Sequence, residues 1–220
     1  MKINLGRSVL MTALLGGAAT AAAPRARADG GIPPGQDSEW IETKGPASSQ
    51  TPETTIRDWP PLARAQARAM IEKYGEPQAF GPRALVWRRN EPWDVTAVFN
   101  HTWVHSEANQ DKDFLKQAIG YVVPQDKADE LRRFDPRLTF NLDTNELAFQ
   151  SDSEATNFLA LNLADEIITG RRSVENARDF FRKTEALEMS GKSSNYLNGF
   201  LFTPTVEVII IPMSYQGAPE

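Results

Sequence analysis

The fold class predicted for this chain is α+β, a mainly antiparallel sheet built from hairpins with helices packed on it, including a C-terminal antiparallel helix pair. Three observations lead there. Two pairs of β-rich runs are each split by a short Asn/Asp/Pro turn, which reads as two hairpins. The stretch 151–170 carries the strongest helix signal in the chain, and a second helix signal follows after a connection too short for anything but an antiparallel partner. Sequential hairpins with interspersed helices favour this class over a doubly wound parallel sheet.

The N-terminus reads as an export signal. Lys2 and Arg7 precede an apolar, small-residue run over 8–23, and Ala26-Arg27-Ala28 offers small residues where a signal peptidase cleaves. Residues 1–28 are therefore expected to be removed after Ala28, giving a periplasmic or secreted protein of bacterial type. The run over 8–23 is too short and too rich in Ala and Gly for a good membrane span, and no other stretch approaches the roughly 20 apolar residues needed, so the mature form is expected to have no membrane span. The absence of cysteine excludes a disulfide, a lipid-modified cysteine and a thiol nucleophile. The removed segment holds Lys2, Arg7, Arg25 and Arg27 and no acidic residue, so 20 of 24 Lys+Arg remain against 29 Asp+Glu and the net charge falls to −9. That balance disfavours nucleic acid and anionic lipid as partners, since both need a positive field.

Residues 29–57 are rich in Gly, Pro, Ser, Thr and charge, with Trp40 and Ile41 as the sizeable apolar pair. Such a segment buries too little to offset its ordering entropy and reads as a flexible linker. A single α+β domain over 58–211 follows, with 212–220 a frayed tail. Pro60 and Pro61 open a helix that runs to Tyr74 and stops at Gly75, with Leu62, Ala65, Ala69 and Met70 along its packed side. Residues 84–89 and 93–99, split by Asn90-Glu91-Pro92, form the first hairpin. A short amphipathic helix over 110–118, a strand over 119–123 and a helix over 125–134 come next. Leu138, Phe140 and Leu142 alternate in one strand and Leu147 and Phe149 in the next, around Asp143-Thr144-Asn145.

In the helix within 151–170, Leu159, Ala160, Leu161, Leu163, Ala164, Ile167 and Ile168 cover an apolar arc of roughly 200° at 100° per residue. That is too wide for a surface helix, so burial is expected. Ser151, Asp152 or Ser153 supplies the N-cap and Gly170 the left-handed stop. Asn157 lies inside the apolar arc and must find hydrogen-bond partners, either a neighbouring strand or loop or a ligand. Asn162, Asp165, Glu166 and Thr169 form the opposite, polar strip. Val174, Ala177, Phe181 and Thr184 keep helical spacing in the partner helix over 173–189. A loop over 191–198 and strands over 200–202 and 205–211 complete the expectation.

The candidate chemistry centres on His101, His105, Glu107 and Asp111. The two histidines are the only ones in the chain, and imidazole and carboxylate are the ligands of a zinc-type site. A divalent metal is thus the one cofactor class with ligand types in place. The commoner role for such a pair is solvated or capping, with Asp111 at a helix start. Trp87, Trp93 and Trp103 sit in or beside the first hairpin, where they form either an aromatic ligand patch or ordinary core. Phosphate-binding and dinucleotide Gly loops, G-x-S-x-G and H-E-x-x-H are all missing.

Tyr74-Gly75-Glu76-Pro77, Trp87, Pro92-Trp93, the His101/His105/Asp111 spacing, Tyr121 with Val123-Pro124, Phe134-Asp135 and the run from Asn157 to Ala164 resemble a group of uncharacterised exported bacterial proteins. In that group Phe and Pro residues lie between and near the two histidines, where Trp103 and Ser106 stand here. The resemblance implies a common fold and export, and no activity. Two functions remain open. The first is a non-catalytic exported binding or interaction module with a small ligand or a protein as partner, using Trp87, Trp93, Trp103 and Asn157. The second is a metal-dependent hydrolase using His101, His105 and a nearby carboxylate. Oligomeric state is not legible in the sequence.

Overall fold

The structure, a computed structural model, describes residues 50–102 and 112–204. Six strands form one antiparallel sheet: β1 (Ala79–Phe80), β2 (Ala84–Asn90), β3 (Trp93–Phe99), β4 (Leu115–Gly120), β5 (Leu138–Asn141) and β6 (Glu146–Ser151), in the order β1-β2-β3-β4-β6-β5. Among the described residues five helices accompany them: α1 (Pro52–Ile56), α2 (Pro61–Tyr74), α3 (Ala128–Phe134), α4 (Glu154–Ile168) and α5 (Val174–Met189), with single 3-10 turns at Gln125–Lys127 and Asn195–Leu197. The α+β class with an antiparallel sheet and a C-terminal helix pair is what the sequence led us to expect.

Strand pairing assigns the two faces. Leu85↔Val98, Val98↔Leu115, Gln117↔Phe149 and Leu138↔Phe149 are register partners, so these side chains share one face. The described helices pack on that face in two adjoining clusters. Ile56, Trp59, Ala63, Ala67 and Met70 meet Leu85, Trp87, Val98 and Leu115, while α3, α4 and α5 meet Ile119, Leu138, Leu147 and Phe149.

The first hairpin, the second hairpin and α4 form as read. Ser153 caps α4 by accepting from the Thr156 amide, and Gly170 adopts φ 73° just past its end, a conformation that a Cβ would strain. Leu159, Ala160, Leu161, Leu163, Ala164 and Ile167 are fully buried, because α4 is enclosed by β4, β6, α3, α5 and the Asn195–Leu197 turn. On α5, Val174, Ala177, Phe181 and Thr184 are the buried positions, as their spacing predicts.

Several expectations are corrected. Residues 52–56, assigned to the linker, form α1, whose N-terminus is closed by reciprocal Thr51–Thr54 hydrogen bonds, and Ile56 is fully buried. The packed side of α2 is Ala63, Ala67 and Met70, whereas Leu62, Ala65 and Ala69 are exposed. The helix expected over 110–118 is contradicted from Leu115 onward by β4. Phe114, Leu115, Ala118 and Ile119 imitate helical spacing, but β4 is buried on both faces and hydrogen-bonded on both sides, so pairing overrides the local pattern. Residues 200–202 form no strand; Leu201 N–H donates to Asn162 Oδ1 at 2.7 Å instead. Along the polar strip of α4, Asn162 and Asp165 are buried, Glu166 is half-buried and Thr169 is exposed.

At the β1 edge, which pairs only two residues with β2, the Arg88 amide donates to Gln78 Oε1 at 2.9 Å. The signal segment, Trp40, the strand expected over 205–211 and the tail lie outside the described residues.

Candidate functional site

A polar cluster lies where the N-terminus of α4 meets the sheet. Tyr74, the last residue of α2, donates to the Glu154 carboxylate, with its hydroxyl 3.0 and 2.9 Å from the two oxygens, and Lys73 Nζ lies 2.6 Å from the same group. Beneath it, Gln117 Nε2 reaches Thr96 Oγ1 at 3.3 Å and Glu154 at 3.4 Å. Asn157 Nδ2 donates to Gln117 Oε1 at 2.9 Å and to Leu115 O at 3.5 Å, while its Oδ1 accepts from Ser151 at 2.6 Å. Asn157 is fully buried, and these bonds tie α4 to β4 and β6. Burial first, then the Glu154 charge, raises the Tyr74 pKa well above that of a free phenol. The hydroxyl is held as a proton donor, which suits it to positioning Glu154 and not to acting as a base.

Further along α4, Tyr121 donates to Asp165 at 2.7 Å, and Arg171 closes on the same carboxylate. At the next position, Glu166 accepts from Tyr196 at 2.6 Å and pairs with Arg172, whose guanidinium lies over the Phe180 ring at 4.5 Å. Asn162 donates to the Tyr196 and Gly199 carbonyls. The polar strip is therefore the seat on which the segment after α5 docks.

A third cluster surrounds Arg137. Its guanidinium bonds Asp135 at 3.1 and 2.9 Å, approaches Asp113 at 4.0 Å and covers the Phe149 and Phe181 rings at 4.9 and 5.4 Å. Burial outweighs the Arg137 charge at Asp113, whose pKa is pushed up to about 6, with Asp152 and Asp135 adding to the rise. Burial also raises Glu185 to about 7, against the pull of Arg137 and with Asp135, Asp152 and Glu188 adding to the rise. Both groups bind a proton more tightly folded than unfolded. Their contribution to stability is thus present at low pH and is lost as pH rises from the ordinary carboxylate range near 4 through these folded values. Urea unfolding is expected to show a decline of roughly 1–3 kcal/mol from pH 5 to pH 8, less than the shifts alone would give because Glu185 is only half-buried and screened by water. A Glu185→Gln variant should flatten that decline, and an unchanged slope would remove Glu185 from the account.

The structure separates the residues singled out from the sequence. Trp87 is fully buried, and its indole N–H donates to Gly75 O at 2.8 Å, fixing the end of α2. Trp93 is buried against Phe158 and Phe200, with centroids 4.7 and 4.9 Å away. Of the two roles open to them, ligand patch or ordinary core, both take the core one, and Asn157 is taken up by the sheet. Trp103, His105, Glu107 and Asp111 lie outside the described residues. His101 is exposed, with Nδ1 2.8 Å from Asn100 Oδ1 and its ring edge-on to Phe99 at 6.0 Å. Partial desolvation, then the Arg83 charge, lower its pKa and favour the neutral ring. Among the described residues no three His, Cys, Asp or Glu side chains are grouped to hold a metal, and no helix is long and apolar enough to cross a membrane.

Sequence reasoning missed Tyr74, Glu154, Tyr121 and Arg137. Each meets its partner through the fold, apart from the Asp135-Pro136-Arg137 turn, where an acid and a base two residues apart were the one local signal. One end of the sheet also escaped it. Gly120 pairs with Glu146, and Glu146 with Asn141, so the ends of β4 and β5 and the turn of the first hairpin lie together. Val122, Leu142 and Leu201 stand there 53%, 44% and 51% exposed. Phe202 packs edge-on to Tyr121 at 5.6 Å, which brings the 200–202 segment to the same end.

Comparison with family models, with curated proteins and with solved structures found no match.

Proposed function

We propose that this chain is an exported, non-catalytic interaction module that engages a ligand or protein through the end of the sheet bearing Val122, Leu142 and Leu201. The exposure of these three large aliphatic residues on three separate segments carries the reading. Apolar side chains held out at one end of a rigid sheet are what a contact surface presents. Glu154, Asp165, Glu166 and Asp135 are each hydrogen-bonded to a tyrosine, lysine or arginine, an arrangement that supports positioning over chemistry. Export rests on the order of basic residues, apolar run and Ala26-Arg27-Ala28, and on the resemblance to exported bacterial proteins.

N-terminal sequencing of the protein recovered from the producing cells should begin at Asp29; a mature protein that still starts at Met1 ends the export reading. For the surface, a photo-reactive phenylalanine analogue at Val122 or Leu201 is expected to give a discrete cross-linked species. The same probe at Leu62 or Leu187, which are exposed on helices, should give none. Cross-linking of equal yield at all four positions, or at none, would sink the proposal. One equivalent of zinc or a similar metal in the purified protein would favour a metal-dependent hydrolase through His101 and His105.

A further inference from the structure

We propose that the C-terminal segment 205–211 closes the second face of the sheet. The described helices occupy one face, yet Ala84 and Val86 of β2, Ala97 of β3, Ala118 of β4 and Ala148 of β6, which alternate onto the other, are all at most 3% exposed. Ala84, Val86 and Ala97 belong to a buried cluster built from strand residues alone. Alanine and valine side chains on a sheet are too short to shelter one another, and Phe99, opposite Ala84 in the same cluster, is itself 2% exposed, so a chain must lie against them. Thr139, opposite Ala148, turns to the same face, and its hydroxyl is buried without a hydrogen-bond partner among the described residues. A buried hydroxyl of this kind calls for a polar atom from whatever covers it.

Position and composition name the occupant. The described chain ends at Pro204, two residues beyond Phe202, which packs on Tyr121 at the end of β4, a point from which the chain can turn onto either face. The seven residues that follow, Thr205-Val206-Glu207-Val208-Ile209-Ile210-Ile211, hold five aliphatic side chains and one charge. Extended, they reach about 23 Å, while β2 to β6 spans about 14 Å at the usual strand spacing. The other end of the described chain, at residue 50, leads into α1 on the helix side.

The cysteine-free sequence makes the test direct. In the full chain, the maleimide reaction of Ala118→Cys is expected to be about tenfold or more slower than that of Lys192→Cys, an exposed loop position, at all protein concentrations. Adding Val208→Asp/Ile210→Asp or Ile209→Asp/Ile211→Asp should bring one of the two to within about twofold of the control. A fast Ala118→Cys in the unaltered segment, or protection that persists through both double changes, overturns the proposal. So does protection lost on dilution, which would assign the face to a second copy. Should the aspartate variants unfold, oxidation of Ala118→Cys paired with a cysteine at each of 206–211 in turn decides the matter. A monomeric intramolecular disulfide at one position or more supports the proposal, and dimeric disulfides alone, or none, overturn it.

Discussion

Arg137→Met is expected to destabilise the protein by roughly 3–5 kcal/mol, the cost of stranding buried charge once its partner is removed. The guanidinium stands between Asp135 and Asp113 with only 11% of its side chain exposed. It is also the cation that opposes the rise of the Asp113 and Glu185 pKa values. Its removal leaves the carboxyls to repel one another and uncovers the Phe149 and Phe181 rings, a loss that methionine repairs in part. The deficit should be larger at pH 8 than at pH 5, because the carboxyls escape the penalty by taking up protons. Arg137→Met/Asp113→Asn should recover part of the loss at pH 8 in urea unfolding followed by tryptophan fluorescence. A deficit that is the same at both pH values, with no recovery in the double variant, would show that packing and not charge is at stake.

Leu161→Ala is expected to cost roughly 2–5 kcal/mol, the range for a buried leucine that leaves a cavity behind. Leu161 is fully buried in a helix enclosed by sheet, helices and the Asn195–Leu197 turn, so little around it is free to collapse into the space. Leu187→Ala, at a position 41% exposed on α5, should stay within about 0.5 kcal/mol. Similar losses at the two positions in urea unfolding would contradict the burial of α4.

What the sequence disclosed is what is written locally. The turns Asn90-Glu91-Pro92 and Asp143-Thr144-Asn145 sit between alternating runs, and α4 carries its own cap in Ser153 and its own stop in Gly170, so these elements were legible. β4 was not, because Gln117 breaks the apolar alternation while Leu115, Ala118 and Ile119 mimic a helix; only its two neighbouring strands decide the outcome. Nor was the packed side of α2, where a large Leu62 outweighed the small Ala63 and Ala67 that allow close approach to the sheet. The polar clusters were hidden for a different reason. Tyr74 and Glu154 are 80 positions apart and Tyr121 and Asp165 are 44 apart, and no spacing rule links such pairs. Of the four residues considered as metal ligands, His101 alone is among the described ones, so the sequence remains the whole argument for that group.

The two ends of the strand order determine how this protein meets other chains. A long open edge is a template for adding a foreign strand, the route to aggregation and to β-augmentation alike. Here the outermost strands are two residues, Ala79–Phe80, and four, Leu138–Asn141. Where β1 stops short, the side chain of Gln78 takes the Arg88 amide that an incoming strand would otherwise use. Among the described residues both edges thus offer little backbone to a visiting strand, in keeping with the proposed contact through side chains.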